Sequence, residues 1–167
     1  ENFYNTADDG KIHSLKFLAE ESRGVVLYFH GNAGNLEDWA WVYQNFLKYN
    51  YDVEIIDYRS YGKSSGTLSE SNFHSDAQFV YNQLKESYQA KDIVIYGRSL
   101  GTGVATRLAT ENQSKALILE TPYFSIVDLA KNMVPFLPVK LLLKYKFESN
   151  KYISKVNAPI YILHGTE

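Results

Sequence analysis

A chain of 167 residues that is 45% hydrophobic is sized for one domain with a packed core, and a formal charge of −2 without basic blocks argues against a nucleic-acid partner. Having no cysteine, it can form neither a disulfide framework nor a thiolate nucleophile, so any nucleophile must be Ser, Thr, Lys or a carboxylate; a reducing compartment fits, and the cytoplasm is the expected location. No apolar run approaches the ~20 residues that span a bilayer and no secretion signal opens the chain, which leaves open an anchor ahead of Glu1.

Ile12 to Phe17 alternates apolar and polar residues after the Asp8-Asp9-Gly10 turn, predicting an edge or antiparallel strand that opens the sheet. Val25 to Phe29 is a continuous apolar run ending in His30-Gly31-Asn32-Ala33-Gly34-Asn35, so a strand buried on both faces stops at a glycine-rich loop. Asn35 is placed to cap the segment that follows. There Trp39, Val42, Tyr43, Phe46 and Leu47 recur at helical spacing and predict one helix of about three turns ending near Asn50. Val53 to Tyr58 is the next strand, followed by a loop rich in Gly and Ser. Within it Gly62-Lys63-Ser64 looks like the tail of a phosphate-binding loop, but Asp57 stands where such a loop needs glycine, which rejects nucleotide binding. Phe73, Ala77, Val80, Tyr81, Leu84 and Tyr88 form the stripe of a second helix.

Ile93-Val94-Ile95-Tyr96 then runs into Gly97-Arg98-Ser99-Leu100-Gly101 and a small-residue helix. This is the layout of a nucleophile elbow: turning a strand sharply into a helix strains the central Ser, so the positions two before and two after it must be nearly free of side chain. The bare pattern arises by composition in roughly one chain of this length in twenty; the buried strand before it and Thr102, Gly103, Val104 and Ala105 after it give it meaning. Gly101-x-Gly103 does not make a dinucleotide site, since Thr106 stands in the third glycine position. Ala116 to Leu119 is another buried strand, closed by Glu120-Thr121-Pro122. Tyr123 to Lys155 breaks into short helical pieces at Pro135 and Pro138, and Pro159 to Leu163 is a final strand before His164-Gly165.

Alternating strands and helices predict an α/β fold, a mainly parallel sheet with helices on both faces. Right-handed crossovers would bring His30-Gly31-Asn32, Asp57, Ser99, Glu120 and His164 to one rim, where such sheets bind ligands.

With these motifs in place, the chain resembles the α/β-hydrolase superfamily along nearly its whole length, on His30-Gly31-Asn32-Ala33-Gly34, on Asp57 to Ser64, on Gly97-Arg98-Ser99-Leu100-Gly101 and on His164-Gly165. It is most similar to the small-capped serine-aminopeptidase-like or abhydrolase-domain branch, some members of which act as thioesterases on palmitoylated proteins. The resemblance implies that residues 1–167 belong to a single hydrolase domain, expected to be incomplete at the C-terminus, and that 123–155 is a short cap-like helical insert.

The resemblance makes Ser99 the nucleophile of a serine hydrolase that cleaves a carboxylic ester or thioester through an acyl-enzyme, without a cofactor or metal. A Ser hydroxyl attacks an acyl carbon only when a base takes its proton and donors stabilise the oxyanion. The Leu100 N–H, at a helix N-terminus, is one donor; the second is expected from Asn32 or Ala33. Gly31, Gly97 and Gly101 provide the turn geometry. The alternatives are an inactive binding module that keeps the fold, or a serine peptidase.

The superfamily's chain order of nucleophile, acid, His is not completed here. His13 and His74 precede Ser99 and are expected to be solvent-facing or partly buried; His30 is expected to bond loop backbone, and His164 to belong to a strand-end turn. Glu120 and Glu167 are weak substitutes for the acid, and the expectation is a chain that continues past Glu167 with the acid and the His. The apolar stretch from Met133 to Lys144 sits where the family inserts its cap. It is expected either to wall a pocket for a small-molecule or lipid-like acyl substrate or to lie at a membrane surface, with Lys140, Lys144 and Lys146 outward, the alternative being ordinary packing. Oligomeric state is not legible.

Overall fold

In the computed structural model of the chain, residues 1–133 and 143–165 are described. The strands are β1 (Asn2–Asn5), β2 (Lys11–Phe17), β3 (Val25–Phe29), β4 (Asp52–Ile56), β5 (Ile93–Arg98), β6 (Ala116–Glu120) and β7 (Ile160–Leu163). They form one sheet in the order β1-β2-β4-β3-β5-β6-β7. β1 and β2 run antiparallel to each other, β2 runs antiparallel to β4, and every pairing from β4 through β7 is parallel.

Alternation along β3 sorts the core into two layers. Val25, Leu27 and Phe29 face one side with residues of α3 (Glu70–Leu84) and α4 (Leu100–Glu111); Val26 and Tyr28 face the other with Leu36 and Val42. All five β3 residues are buried, as a strand with helices on both sides requires.

The sheet does not open at β2. Asn2–Asn5 adds a strand outside it, and Tyr4 reaches inward to donate its hydroxyl to Glu54 at 3.1 Å. The helix predicted to end near Asn50 is broken into α1 (Leu36–Trp39), a 3-10 turn (Ala40–Tyr43) and α2 (Gln44–Leu47). Trp39, Val42 and Tyr43 are poor helix formers whose bulk must be fitted against the sheet, and the tighter turn re-aims them. Asn35 caps α1: its side chain accepts from Glu37 N, while Asp38 accepts from Asn35 N.

After β6 the chain forms α5 (Ile126–Met133) and 3-10 turns at Ser149–Lys151 and Ile153–Lys155. Most of the apolar stretch from Met133 to Lys144, including both prolines, Lys140 and the acyl-wall expectation, lies outside the described residues, as does Glu167. Lys144 and Lys146 are exposed.

Candidate active site

The paired residues Phe29 and Ile56, Phe29 and Gly97, Arg98 and Glu120, and Glu120 and Leu163 align the C-terminal ends of the parallel strands. His30, Asp57, Ser99, Glu120 and His164 therefore share one rim.

Ser99 sits between β5 and α4 with φ 48° and ψ −115°, a conformation that L-residues rarely adopt, and it is exposed. The turn is tight enough to need glycine on both sides. A Cβ on Gly97 would meet the Gly101 carbonyl oxygen at 2.4 Å, and one on Gly101 would meet the Phe29 carbonyl oxygen at 2.1 Å. These obstacles are backbone and cannot rotate away. Ser99 N donates to Glu120 O at 2.9 Å, tying the turn to β6. Leu100 opens α4, so its N–H is one of the donors that a helix start leaves without an intrahelical acceptor.

The loop after β3 stands beside this turn: a Cβ on Gly31 would lie 3.7 Å from Ser99 Cβ. Gly31 is buried, whereas Asn32 and Ala33 are exposed. The sequence-predicted residues Gly31, Gly97, Ser99, Leu100 and Gly101 are thus brought together, with Asn32 and Ala33 following directly on the loop.

The description "serine aminopeptidase, S33" matches residues 20–156, most of the chain. The chain belongs to this family of α/β-hydrolases. Lysophosphatidylserine lipase ABHD12 of Danio rerio is 32% identical over 185 residues, covering 96% of this chain and 47% of that protein. Protein bem46 of Schizosaccharomyces pombe is 40% identical over 127 residues, covering 73% and 42%. An α/β-hydrolase from Vibrio vulnificus has the same fold at a TM-score of 0.80 and 23% identity, covering 99% of this chain and 63% of that one. The chain spans about half the length of the curated relatives it matches.

In this S33-family chain the four histidines fall in three places. His13 is buried, where a solvent-facing or partly buried ring was expected: its Nδ1 lies 3.5 Å from Asp57 Oδ2 and its Nε2 2.8 Å from Glu1 Oε1. His30 is also buried, with Nε2 3.2 Å from Asp57 Oδ1. His74 packs edge-on against Phe147, where burial lowers its pKa against the pull of Glu70. His164 is exposed beyond β7 with Nδ1 2.9 Å from Gly165 O. Among the described residues none of these rings hydrogen-bonds the Ser99 hydroxyl.

Glu120 is engaged elsewhere: it accepts from the Tyr96 hydroxyl at 2.9 Å and lies 3.5 Å from Arg98 Nε, while Arg98 stacks on the Trp39 ring at 5.0 Å. The loop that looked like a phosphate-binding tail is structural. Ser64 donates to Asp57 O and accepts from His13 N, and Lys63 pairs with Glu1.

An apolar cavity of about 300 Å³ opens one helical turn beyond Ser99, lined by Thr102, Leu119, Tyr123, Phe124, Ile153 and Ile162; Ser99 is not among its lining residues. On the other side Ala33, Trp39, Trp41 and Arg98 line a shallower recess.

Sequence reasoning missed the side chains that brace the loop. Tyr58 donates to His30 O at 2.7 Å, Trp39 Nε1 to Ala33 O at 2.8 Å and Tyr61 to Asn32 Oδ1 at 2.9 Å. The signal for one such contact was present: His30 and Asp57 each follow the last residue of a buried strand, and once those strands pair, the two must meet.

Proposed function

We propose that this chain carries the nucleophile and oxyanion-binding portion of a serine hydrolase acting on a carboxylic ester or thioester. The observation that carries the reading is the backbone of Ser99, held at φ 48° and ψ −115° and exposed at the rim between two glycines that could bear no side chain.

The Ser99 oxygen attacks the acyl carbon as its proton passes to a base, and the carbonyl oxygen becomes an oxyanion facing Leu100 N–H and an N–H of Asn32 or Ala33. Collapse expels the alcohol or thiol, which takes up the proton, and leaves the acyl group on Ser99. Water then attacks the acyl-enzyme, releasing the acid and returning the proton to Ser99. The superfamily's chain order places the acid and then the His after the nucleophile. Family membership supports the hydrolase class, and the lipase named among the relatives, with the apolar cavity beyond Thr102, supports a lipid-like acyl substrate.

The test is covalent labelling of the full-length protein with a fluorophosphonate probe. One adduct is expected, and it should vanish in Ser99→Ala. Labelling that persists in Ser99→Ala, or an intact protein that takes no label, would overturn the reading.

A further inference from the structure

The loop after β3 is anchored at three carbonyls. The Tyr58 hydroxyl holds His30 O at 2.7 Å, His30 Nδ1 holds Gly31 O at 2.7 Å, and Trp39 Nε1 holds Ala33 O at 2.8 Å. Because a carbonyl only accepts, the proton of the second bond must sit on Nδ1 of His30. That ring is 0% exposed, and its other nitrogen lies within ion-pair range of Asp57, 1% exposed, though off the line of a well-formed hydrogen bond.

Among the described residues no peptide bond is cis, and in a trans peptide unit the C=O and N–H point in opposite directions. Drawing Gly31 O inward to the His30 ring therefore turns the N–H of the same unit, that of Asn32, outward, beside the point where Gly31 faces Ser99. The Trp39 bond fixes the unit that carries the Gly34 N–H, not the Ala33 N–H. Of the two candidate donors, Asn32 is the one aimed by a buried side chain.

We propose that His30 is a positioning residue for the second oxyanion donor. His30 holds the Gly31 carbonyl from a fully buried ring, and the Gly31–Asn32 peptide is thereby locked with its N–H directed at the oxygen that becomes negative when Ser99 attacks. This rests on the reading of Ser99 as nucleophile.

The test uses the full-length protein, with kcat and KM for p-nitrophenyl butyrate normalised to Ser99 titrated by fluorophosphonate. His30→Leu should lower kcat by about 10²-fold with KM within about twofold, since one oxyanion donor is typically worth 10²–10³ in rate. His30→Asn, whose amide N–H reaches the carbonyl from the Nδ1 position, should recover at least about tenfold of that loss. A boronic acid, which forms a tetrahedral adduct on the serine, should lose affinity in His30→Leu in proportion to kcat/KM. Folded variants with kcat within twofold of wild type, or His30→Asn as impaired as His30→Leu, would overturn the proposal. Should His30→Leu fail to fold, the native protein supplies the check: the ¹⁵N shifts of the His30 ring must report a protonated Nδ1, and an unprotonated one overturns the proposal. Persistent labelling in Ser99→Ala would instead remove the Ser99 reading itself, so the two failures are separable.

Discussion

Ser99 stores strain at one residue. A side chain held near φ 48° and ψ −115° crowds its own backbone, at a cost of ~1–3 kcal/mol, and it persists because β5, α4 and the Glu120 carbonyl over-determine it. Glycine has no such crowding in this region, whereas alanine keeps the offending Cβ. Ser99→Gly should therefore be more stable than Ser99→Ala by about 1 kcal/mol, after glycine's larger unfolded-state entropy has taken back about 0.5–1 kcal/mol of the relief. Urea unfolding of the two variants measures this directly. Equal stabilities would mean that the turn is unstrained and that the hydroxyl is held by packing alone.

At the scale of the strand, β4 carries a carboxylate where both faces are covered. Glu54 is fully buried between β2 and β3, with the Tyr4 hydroxyl on one oxygen. Burial raises its pKa above the ordinary 4.5, against the opposing pull of Ser14, Lys16 and Tyr4. A raised folded-state value means that the native chain binds this proton more tightly than the unfolded chain. The resulting stability is fully present below 4.5 and is lost as pH rises through the folded value. Glu54→Gln, neutral at every pH and still able to accept from Tyr4, should match wild type near pH 4 and exceed it at pH 7 by about 1 kcal/mol, the low end of the cost of a poorly satisfied buried polar group. Urea titrations at the two pH values decide it, and a gap that does not widen with pH would show that Glu54 titrates normally. Element by element, legibility followed burial. β3, β5 and β6 are unbroken apolar runs and were readable as such, whereas β1, with two asparagines in four residues and one inward side chain, offers no pattern until β2 is there to pair with it. The break between α1 and α2 was hidden for a related reason. Helical spacing records which residues face the sheet, and Trp39, Val42, Tyr43 and Phe46 all do, but not how tightly the backbone turns to bring them there.

Across the whole molecule, the rim was legible because strand ends in a parallel sheet must coincide, and Ser99, Gly31 and Asp57 each follow a buried run. The His13 side of the Asp57 network was not legible, because it needs β2 to deliver His13 across the neighbouring strand, a pairing that no local pattern encodes. The far side of the sheet ends differently. β7 is wholly apolar, and Ile160, Tyr161, Ile162 and Leu163 are 37%, 57%, 61% and 51% exposed. Alternation sends Tyr161 and Leu163 to one face and Ile160 and Ile162 to the other, where Ile162 lines the apolar cavity and Phe124, 66% exposed, stands close by. An apolar edge strand with no partner on its outer side among the described residues, and without charge or proline, is a template for pairing with another chain. The 167-residue chain should therefore associate as its concentration rises in sedimentation velocity. Tyr161→Lys with Leu163→Lys should suppress that association while leaving the far-UV circular dichroism unchanged, because both side chains project from the strand without supporting the core. Lysine on an edge strand opposes pairing by charge and keeps its stem extended over the sheet, so the fold has no reason to suffer. Association that survives both substitutions would place the adhesive surface away from β7, with the exposed Trp41 and Tyr49 on the opposite layer as the next residues to change.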